Sequence, residues 1–330
     1  MKISYYLPKK CLDNEELAEI YEGWTADKIF KKTGIKSRHI SGENEYCSDM
    51  AVNAAKQLFK EYDIDKNDIE FIILTTQSPD YALPTTACIV QDKLGLKKST
   101  GALDINLGCS AFVYGLSLAK AMVKSGTVNN VLLIASEMYT KRIHPMDKSV
   151  RTIFGDGAAA VLIEKDDICK IGNFDFGTDG SGYDKLIIPA SGLKELSYEN
   201  ADVEMTDESR NVRTAKNIYM NGAAIFNFTI DTVPECIDNV LKKNELQKTD
   251  IDMFVFHQAN KFMLDYLRKI LDIPRDKFII DVETTGNLVS ASIPIALKNA
   301  ELNGKIKKGD KVLIVGFGVG LSWGAVIIDY

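Results

Sequence analysis

Short apolar runs alternate with amphipathic stretches along most of the chain. Asp13-Asn-Glu-Glu-Leu-Ala-Glu-Ile-Tyr21 opens on an aspartate followed by acidic residues. That order predicts a helix start, because the aspartate accepts from first-turn N–H groups and the acids complement the helix dipole. Ser48 to Tyr62 has apolar residues three and four apart, the spacing of one helix face. Ile69 to Leu74 predicts a strand, Thr85 to Leu94 a helix, and Gly101 to Leu107 a second strand. Cys109 then opens a further helix, and Val131-Leu-Leu-Ile-Ala135 is a third strand. Such alternation predicts a mostly parallel sheet flanked by helices.

The second half repeats these landmarks in the same order. Lys66-Asn-Asp-Ile-Glu-Phe-Ile-Ile-Leu74 aligns with Lys248-Thr-Asp-Ile-Asp-Met-Phe-Val-Phe256, and Asn130 to Ala135 aligns with Lys311 to Gly316. The strand, Gly108, Cys109, helix unit aligns with an expected strand Phe278 to Val282, then Gly286, Asn287 and a helix. Each half is expected to end in a glycine-punctuated hairpin, Phe154 to Ile163 and Phe317 to Ile328. This reads as an internal duplication with halves 1–165 and 166–330, the first carrying Cys109 and the second His257 and Asn287. A pseudo-twofold relation between them would set Cys109 and Asn287 at equivalent helix starts facing one cleft. The charged, aperiodic stretch from Ser191 to Thr214 reads as a loop over or beside that cleft.

Composition narrows the function. A formal net charge of −6 over 330 residues argues against binding nucleic acid or an anionic membrane surface, both of which call for concentrated positive charge. The first residues lack the order of a signal peptide, and no apolar run approaches the roughly 20 residues that span a bilayer. A cytoplasmic location is therefore expected. The six cysteines are scattered, with no Cys-x-x-Cys pair and no cluster at metal-ligand spacing, so no metal is expected.

Three turns concentrate reactive side chains. A cysteine at a helix start is favoured as a thiolate, the nucleophilic form, because the first N–H groups lack helical partners and carry partial positive charge. Cys109 stands at such a position. His257, one of only three histidines, stands in Val255-Phe-His-Gln-Ala-Asn260 at a strand end, where α/β sheets place ligand-binding groups. Asn287 follows a glycine in Thr284-Thr-Gly-Asn-Leu-Val-Ser-Ala-Ser292.

Tyr6-Leu-Pro8, Lys32-Thr-Gly-Ile35 with Arg38, Gly108-Cys-Ser-Ala-Phe112, Phe154-Gly-Asp-Gly157, Asp179-Gly-Ser-Gly182, His257-Gln-Ala-Asn260, Gly286-Asn287 and Gly318-Val-Gly-Leu-Ser-Trp-Gly324 occur in that order. Along its full length the chain thus resembles the β-ketoacyl-acyl-carrier-protein synthase III family of thiolase-fold enzymes. The resemblance implies an α/β, five-layered α-β-α-β-α fold of two duplicated halves, a homodimer, and a catalytic triad of Cys109, His257 and Asn287. It implies an acyl primer loaded on Cys109, then decarboxylative Claisen condensation with a malonyl thioester. The oxyanion would be held by the backbone N–H groups of Cys109 and Val319. Acyl carrier protein and acyl or malonyl thioesters are the implied partners, with no cofactor.

Other positions follow from the same resemblance. Leu83 matches a position lining the partner subunit's acyl pocket. Lys28 replaces a tryptophan that stacks on coenzyme A, Lys32 replaces an arginine, Ala223 replaces a pantetheine-contacting asparagine, and Phe262 replaces a carrier-protein-contacting arginine. Lys261, Arg268 and Lys269 remain as a basic docking face. These departures suggest a specialised synthase primed from a carrier protein. Rival readings are a thiolase-fold acyltransferase working without decarboxylation and a non-catalytic partner subunit.

Overall fold

The computed structural model describes residues 1–330. Strands Lys2–Tyr6, Gly157–Glu164, Asn130–Glu137, Phe71–Thr75 and Gly101–Ile105 lie in that spatial order in one sheet. Met253–Phe256, Lys311–Gly318, Ser322–Asp329 and Ile171–Thr178 form a second sheet.

Two helices fill the space between the sheets. Ala111–Lys124 and Ser292–Leu302 send Phe112, Val113, Leu116, Ile293 and Leu297 into one core with Leu133, Val161, Ile314 and Val326 from both sheets. Each such side chain contributes roughly 1.5–3 kcal/mol through burial, so the sandwiched helices fix the spacing of the sheets. Outside the first sheet, Cys47–Glu61 and Thr86–Leu94 bury Met50, Leu58, Val90 and Leu94. Outside the second, Gly222–Lys243 and Lys261–Ile270 bury Val233, Val240, Leu264 and Leu267. Helix, sheet, helix, sheet, helix is the five-layered architecture the resemblance implies.

Several sequence expectations need correction. The sheets are mixed rather than mostly parallel. Phe71–Thr75 is parallel to both its neighbours, whereas Gly157–Glu164 runs antiparallel between Lys2–Tyr6 and Asn130–Glu137. Phe154 to Ile163 is not a hairpin, because the strand from Gly157 pairs with Asn130–Glu137 across an excursion over 138–156. The second-half hairpin is real, with Gly318 opposite Ser322.

Phe278 to Val282 forms no strand beyond a bridge between Phe254 and Phe278. The Gln258 carboxamide replaces the ladder there, accepting from Asp281 N at 2.7 Å and donating to Phe256 O at 2.6 Å. The 22-residue helix Gly222–Lys243 is an element the sequence reading does not predict; Pro234 lies inside it, and its buried face runs on through Ile225, Val233, Ile237 and Leu241. Asp13 caps its helix as expected, in a capping box with Glu16. Ser191 to Thr214 contains a turn of 3-10 helix, Gly192–Ser197, and paired strands Met205–Thr206 and Val212–Arg213. Arg213 Nε donates to Asp147 at 2.7 Å, which holds this segment against the 138–156 excursion. No helix is long and apolar enough to cross a membrane.

Candidate active site

Cys109, His257 and Asn287 line one cavity of about 220 Å³, with Ile153, Phe154, Met220, Phe317 and Gly318 among its other walls. Cys109 lies in the turn after Gly101–Ile105, one residue before the Ser110 cap of Ala111–Lys124, so the helix proper begins two residues later than expected. Ser110 donates through Ser322 Oγ, 2.8 Å away, which in turn donates to Val319 O at 2.7 Å. That relay couples the nucleophile turn to the hairpin tip carrying Val319.

The hairpin strand comes unusually close. A Cβ added at Gly316 would stand 2.8 Å from Ser110 Cα, and one at Gly318 would stand 2.9 Å from both Cβ and Sγ of Cys109. Only glycine permits this approach. Through it the backbone N–H groups of Val319 and Cys109 reach the thiol, and both favour its charged form. Burial, the larger influence, and the Glu137 carboxyl act the other way and push the thiol up to about 12. The resting cavity therefore holds Cys109 as a thiol, contrary to the thiolate expected from the helix start, because desolvation outweighs the N–H groups.

His257 follows Met253–Phe256 and donates its backbone N–H to Val315 O at 2.7 Å. Asn260 caps the next helix through Met263 N at 2.9 Å. Nδ1 of His257 lies 2.8 Å from Ser292 Oγ, and that hydroxyl donates to Val289 O at 2.8 Å. With its only proton committed to Val289, Ser292 accepts from Nδ1–H, which leaves Nε2 as the unprotonated nitrogen. Burial lowers the His257 ring to about 3, so it is neutral.

Asn287 is separated from the helix Ser292–Leu302 by the 3-10 turn Val289–Ala291, so it is not a helix-start residue. Its backbone bridges Phe154 instead, donating to Ile153 O at 2.9 Å and accepting from Gly155 N at 3.0 Å. Val289 N donates to Oδ1 at 2.8 Å, which turns the Nδ2 amide toward His257 Nε2, 3.4 Å away. The cavity thus presents a thiol and a neutral imidazole whose unprotonated Nε2 accepts from the Asn287 amide. No group of His, Cys, Asp or Glu is arranged to hold a metal ion.

The remaining candidate residues lie outside this cavity's walls. Lys28 and Lys32 place their ammonium groups over the Trp24 ring, 5.0 and 5.6 Å from its centre. Leu83 is 82% exposed. Phe262 is exposed and packs on Phe226 at 5.8 Å, beside Met263 of the cavity wall. Lys261 lies against Gly34, Arg268 donates to Ile273 O at 3.0 Å, and Lys269 is exposed. Sequence reasoning missed Glu137, Ser290 and Ser292. Glu137 ends an apolar strand, and a lone carboxyl at a strand end was a usable signal.

Two family models match: 3-oxoacyl-[acyl-carrier-protein] synthase III over residues 103–180, and the C-terminal part of the same synthase over residues 241–330. Beta-ketoacyl-[acyl-carrier-protein] synthase III of Clostridium perfringens (strain ATCC 13124) is 41% identical over 325 residues, covering 98% of this chain and 96% of its own. That of Clostridioides difficile (strain 630) is 40% identical over 99% of this chain and 97% of its own. A crystal structure of a 3-oxoacyl-(acyl-carrier-protein) synthase III superimposes with a TM-score of 0.97 at 44% identity, covering 99% of this chain and 98% of that one. The synthase III from Aquifex aeolicus VF5 gives a TM-score of 0.85 at 33% identity, covering all of this chain and 98% of its own. With full-length identity at this level and the same fold, the chain belongs to the β-ketoacyl-acyl-carrier-protein synthase III family.

Proposed function

We propose that Cys109 carries the acyl primer and that His257 and Asn287 promote decarboxylation of the malonyl thioester. The enzyme is a carbon–carbon-forming acyltransferase of the synthase III type, acting on acyl and malonyl thioesters with acyl carrier protein and using no cofactor. The observation that carries the residue assignment is the convergence of thiol, unprotonated imidazole nitrogen and amide donor in one cavity.

In the loading step, His257 Nε2 takes the Cys109 proton and the sulfur attacks the primer thioester. The N–H groups of Cys109 and Val319 hold the oxyanion, each such donor being worth about 3–4 kcal/mol in rate terms. Collapse forms the Cys109 thioester, and the expelled thiolate takes the proton back from Nε2. Thioester exchange conserves bond type, so the acyl group stays activated.

In the second step the malonyl carboxylate leaves as carbon dioxide and its electron pair forms an enolate. Asn287 Nδ2–H donates to the enolate oxygen. His257 donates beside it in the tautomer that carries its proton on Nε2, reached when Nδ1 gives one proton to solvent and Nε2 takes one from it. Ser292 permits that tautomer, because its hydroxyl can turn from Val289 O to the then-bare Nδ1. The enolate carbon attacks the Cys109 acyl carbon, the carbon–carbon bond forms as the carbon–sulfur bond breaks, and Cys109 leaves as a thiolate that takes one proton from solvent, which the overall reaction consumes. A transfer to oxygen or nitrogen without decarboxylation has no use for the Asn287 donor, and a silent subunit has no use for the thiol.

The finer assignments follow in the same reading. The enzyme is a cytoplasmic homodimer: all six cysteines are unpaired, and Gly101–Ile105 leaves an open sheet edge near exposed Leu83. Leu83 enters the partner's acyl pocket. The halves 1–165 and 166–330 are supported by strands that divide between the two sheets at Glu164 and Ile171. Lys28 and Lys32 cover Trp24, which favours a carrier-protein primer over one stacked through adenine. Lys261 and Lys269, with Phe262, form the docking face; Arg268 stiffens it. Intact mass after incubation with acyl coenzyme A and acyl carrier-protein donors tests the reading. An acyl adduct absent in Cys109→Ala supports it; no adduct from any donor overturns it.

A further inference from the structure

Glu137 is completely buried, and the mechanism above does not use it. It ends Asn130–Glu137, and its two carboxyl oxygens face different parts of the site. Oε1 accepts from Ser290 Oγ at 2.8 Å. Oε2 accepts from Gln77 N at 3.1 Å and from Ser78 Oγ at 3.3 Å. Ser78 Oγ in turn accepts from Met138 N at 3.1 Å, which closes the arrangement on the strand end.

These partners lead to both reactive centres. Ser290 lies in the 3-10 turn Val289–Ala291, whose first residue fixes the Asn287 carboxamide through Val289 N. On the other side, the Gln77 carboxamide lies against Gly108, 2.5 Å from where a Cβ would stand, directly before Cys109. One buried carboxyl therefore links the turn at residue 290 to the stretch at residues 77 and 78 that follows the strand Phe71–Thr75.

We propose that Glu137 is a positioning residue: through Ser290 it fixes the turn that aims Asn287 at the decarboxylating thioester, in register with Cys109. The carboxyl suits this role because burial raises it to about 8, so that near neutral pH it is mostly protonated and the charge by which it opposes ionisation of Cys109 is largely withheld. When neutral, the carboxyl carries one O–H, so it donates to one of the two serine hydroxyls and still accepts from Gln77 N and the other, without a counter-ion. Misplacing a donor by a fraction of an ångström costs far more in rate than in binding, so the effect falls on turnover.

The inference rests on the reading of Asn287 as a decarboxylation donor. Carbon dioxide release from malonyl carrier protein and acyl loading of Cys109 are measured in Ser290→Ala, Glu137→Leu, Glu137→Gln and Asn287→Ala, with the melting temperature of each. Ser290→Ala and Glu137→Leu are expected to slow release by about tenfold or more while loading falls less. Glu137→Gln, which keeps the shape and both polar positions, recovers release relative to Glu137→Leu. Where Glu137→Leu does not fold, Ser290→Ala alone decides. Wild-type release in Ser290→Ala overturns the inference, as does a parallel fall of release, loading and melting temperature with no recovery in Glu137→Gln. Release that survives Asn287→Ala overturns the underlying site reading instead.

Discussion

His257 Nε2 stands 3.4 Å from Asn287 Nδ2, while the opposite ring nitrogen meets the Ser292 hydroxyl at 2.8 Å. This relationship decides which nitrogen carries the proton. Because Ser292 gives its proton to Val289 O, the imidazole is held with the Nε2 lone pair toward the cavity and toward Asn287 Nδ2.

Ser292→Ala should therefore slow both loading and condensation. Losing one buried hydrogen bond of roughly 1 kcal/mol, together with control of the tautomer, corresponds to about a tenfold loss in kcat. Steady-state kinetics check this, and Ser292→Thr, which keeps the hydroxyl, should recover most of the rate.

The pH dependence of loading has a definite sign. Burial depresses His257 to about 3, so the ring stays neutral as pH falls through the ordinary histidine value near 6.5. Loading should show no acid limb with a midpoint near 6.5, and any such limb in kcat/KM between pH 5 and 7 contradicts the assignment. Stability behaves differently: the unfolded chain gains a proton below about 6.5 that folded His257 refuses. His257 thus costs stability progressively as pH falls from 6.5 toward 3, and His257→Gln should flatten that part of a melting-temperature profile.

Two glycines two residues apart should fail in different ways. A methyl at Gly316 meets the Ser110 backbone at 2.8 Å, whereas one at Gly318 meets only the Cys109 side chain. Gly316→Ala should destabilise the fold by about 1–3 kcal/mol, the usual range for overpacking. Gly318→Ala adds backbone strain at φ +156° and loses acyl loading, because its methyl displaces the Cys109 side chain itself. Thermal unfolding and intact mass separate the two.

Removing the relay between the nucleophile turn and the hairpin tip should weaken the oxyanion donors without removing them. Ser322→Ala breaks both the 2.8 Å contact to Ser110 and the 2.7 Å bond to Val319 O. Loading is expected to fall by about tenfold, measured by rapid-quench mass spectrometry with a fixed primer.

Legibility in the sequence followed the range of the interactions. The capping box at Asp13 and Glu16 is local, three residues wide, and was readable directly. Cys109, His257 and Asn287 were readable as turn residues because each ends an apolar run or follows a glycine. Phe278 to Val282 misled, since a β-rich composition says nothing of a Gln258 side chain taking over the ladder. Long-range pairs were invisible for the same reason. Glu137 and Ser290 lie 153 residues apart, and nothing in either neighbourhood announces the other. The resting state of Cys109 was also misjudged, because helix-start N–H groups are visible in sequence whereas desolvation is a property of the closed cavity.

The division of labour within the triad is tested most directly by one comparison, carbon dioxide release from malonyl carrier protein in the wild type and in Asn287→Ala, with acyl loading of Cys109 followed in the same samples. The enolate donor is made only in the second step. Release should therefore fall by on the order of a hundredfold, as for an oxyanion donor, while loading stays close to wild type. Release at the wild-type rate, or loss of loading together with release, would contradict the account.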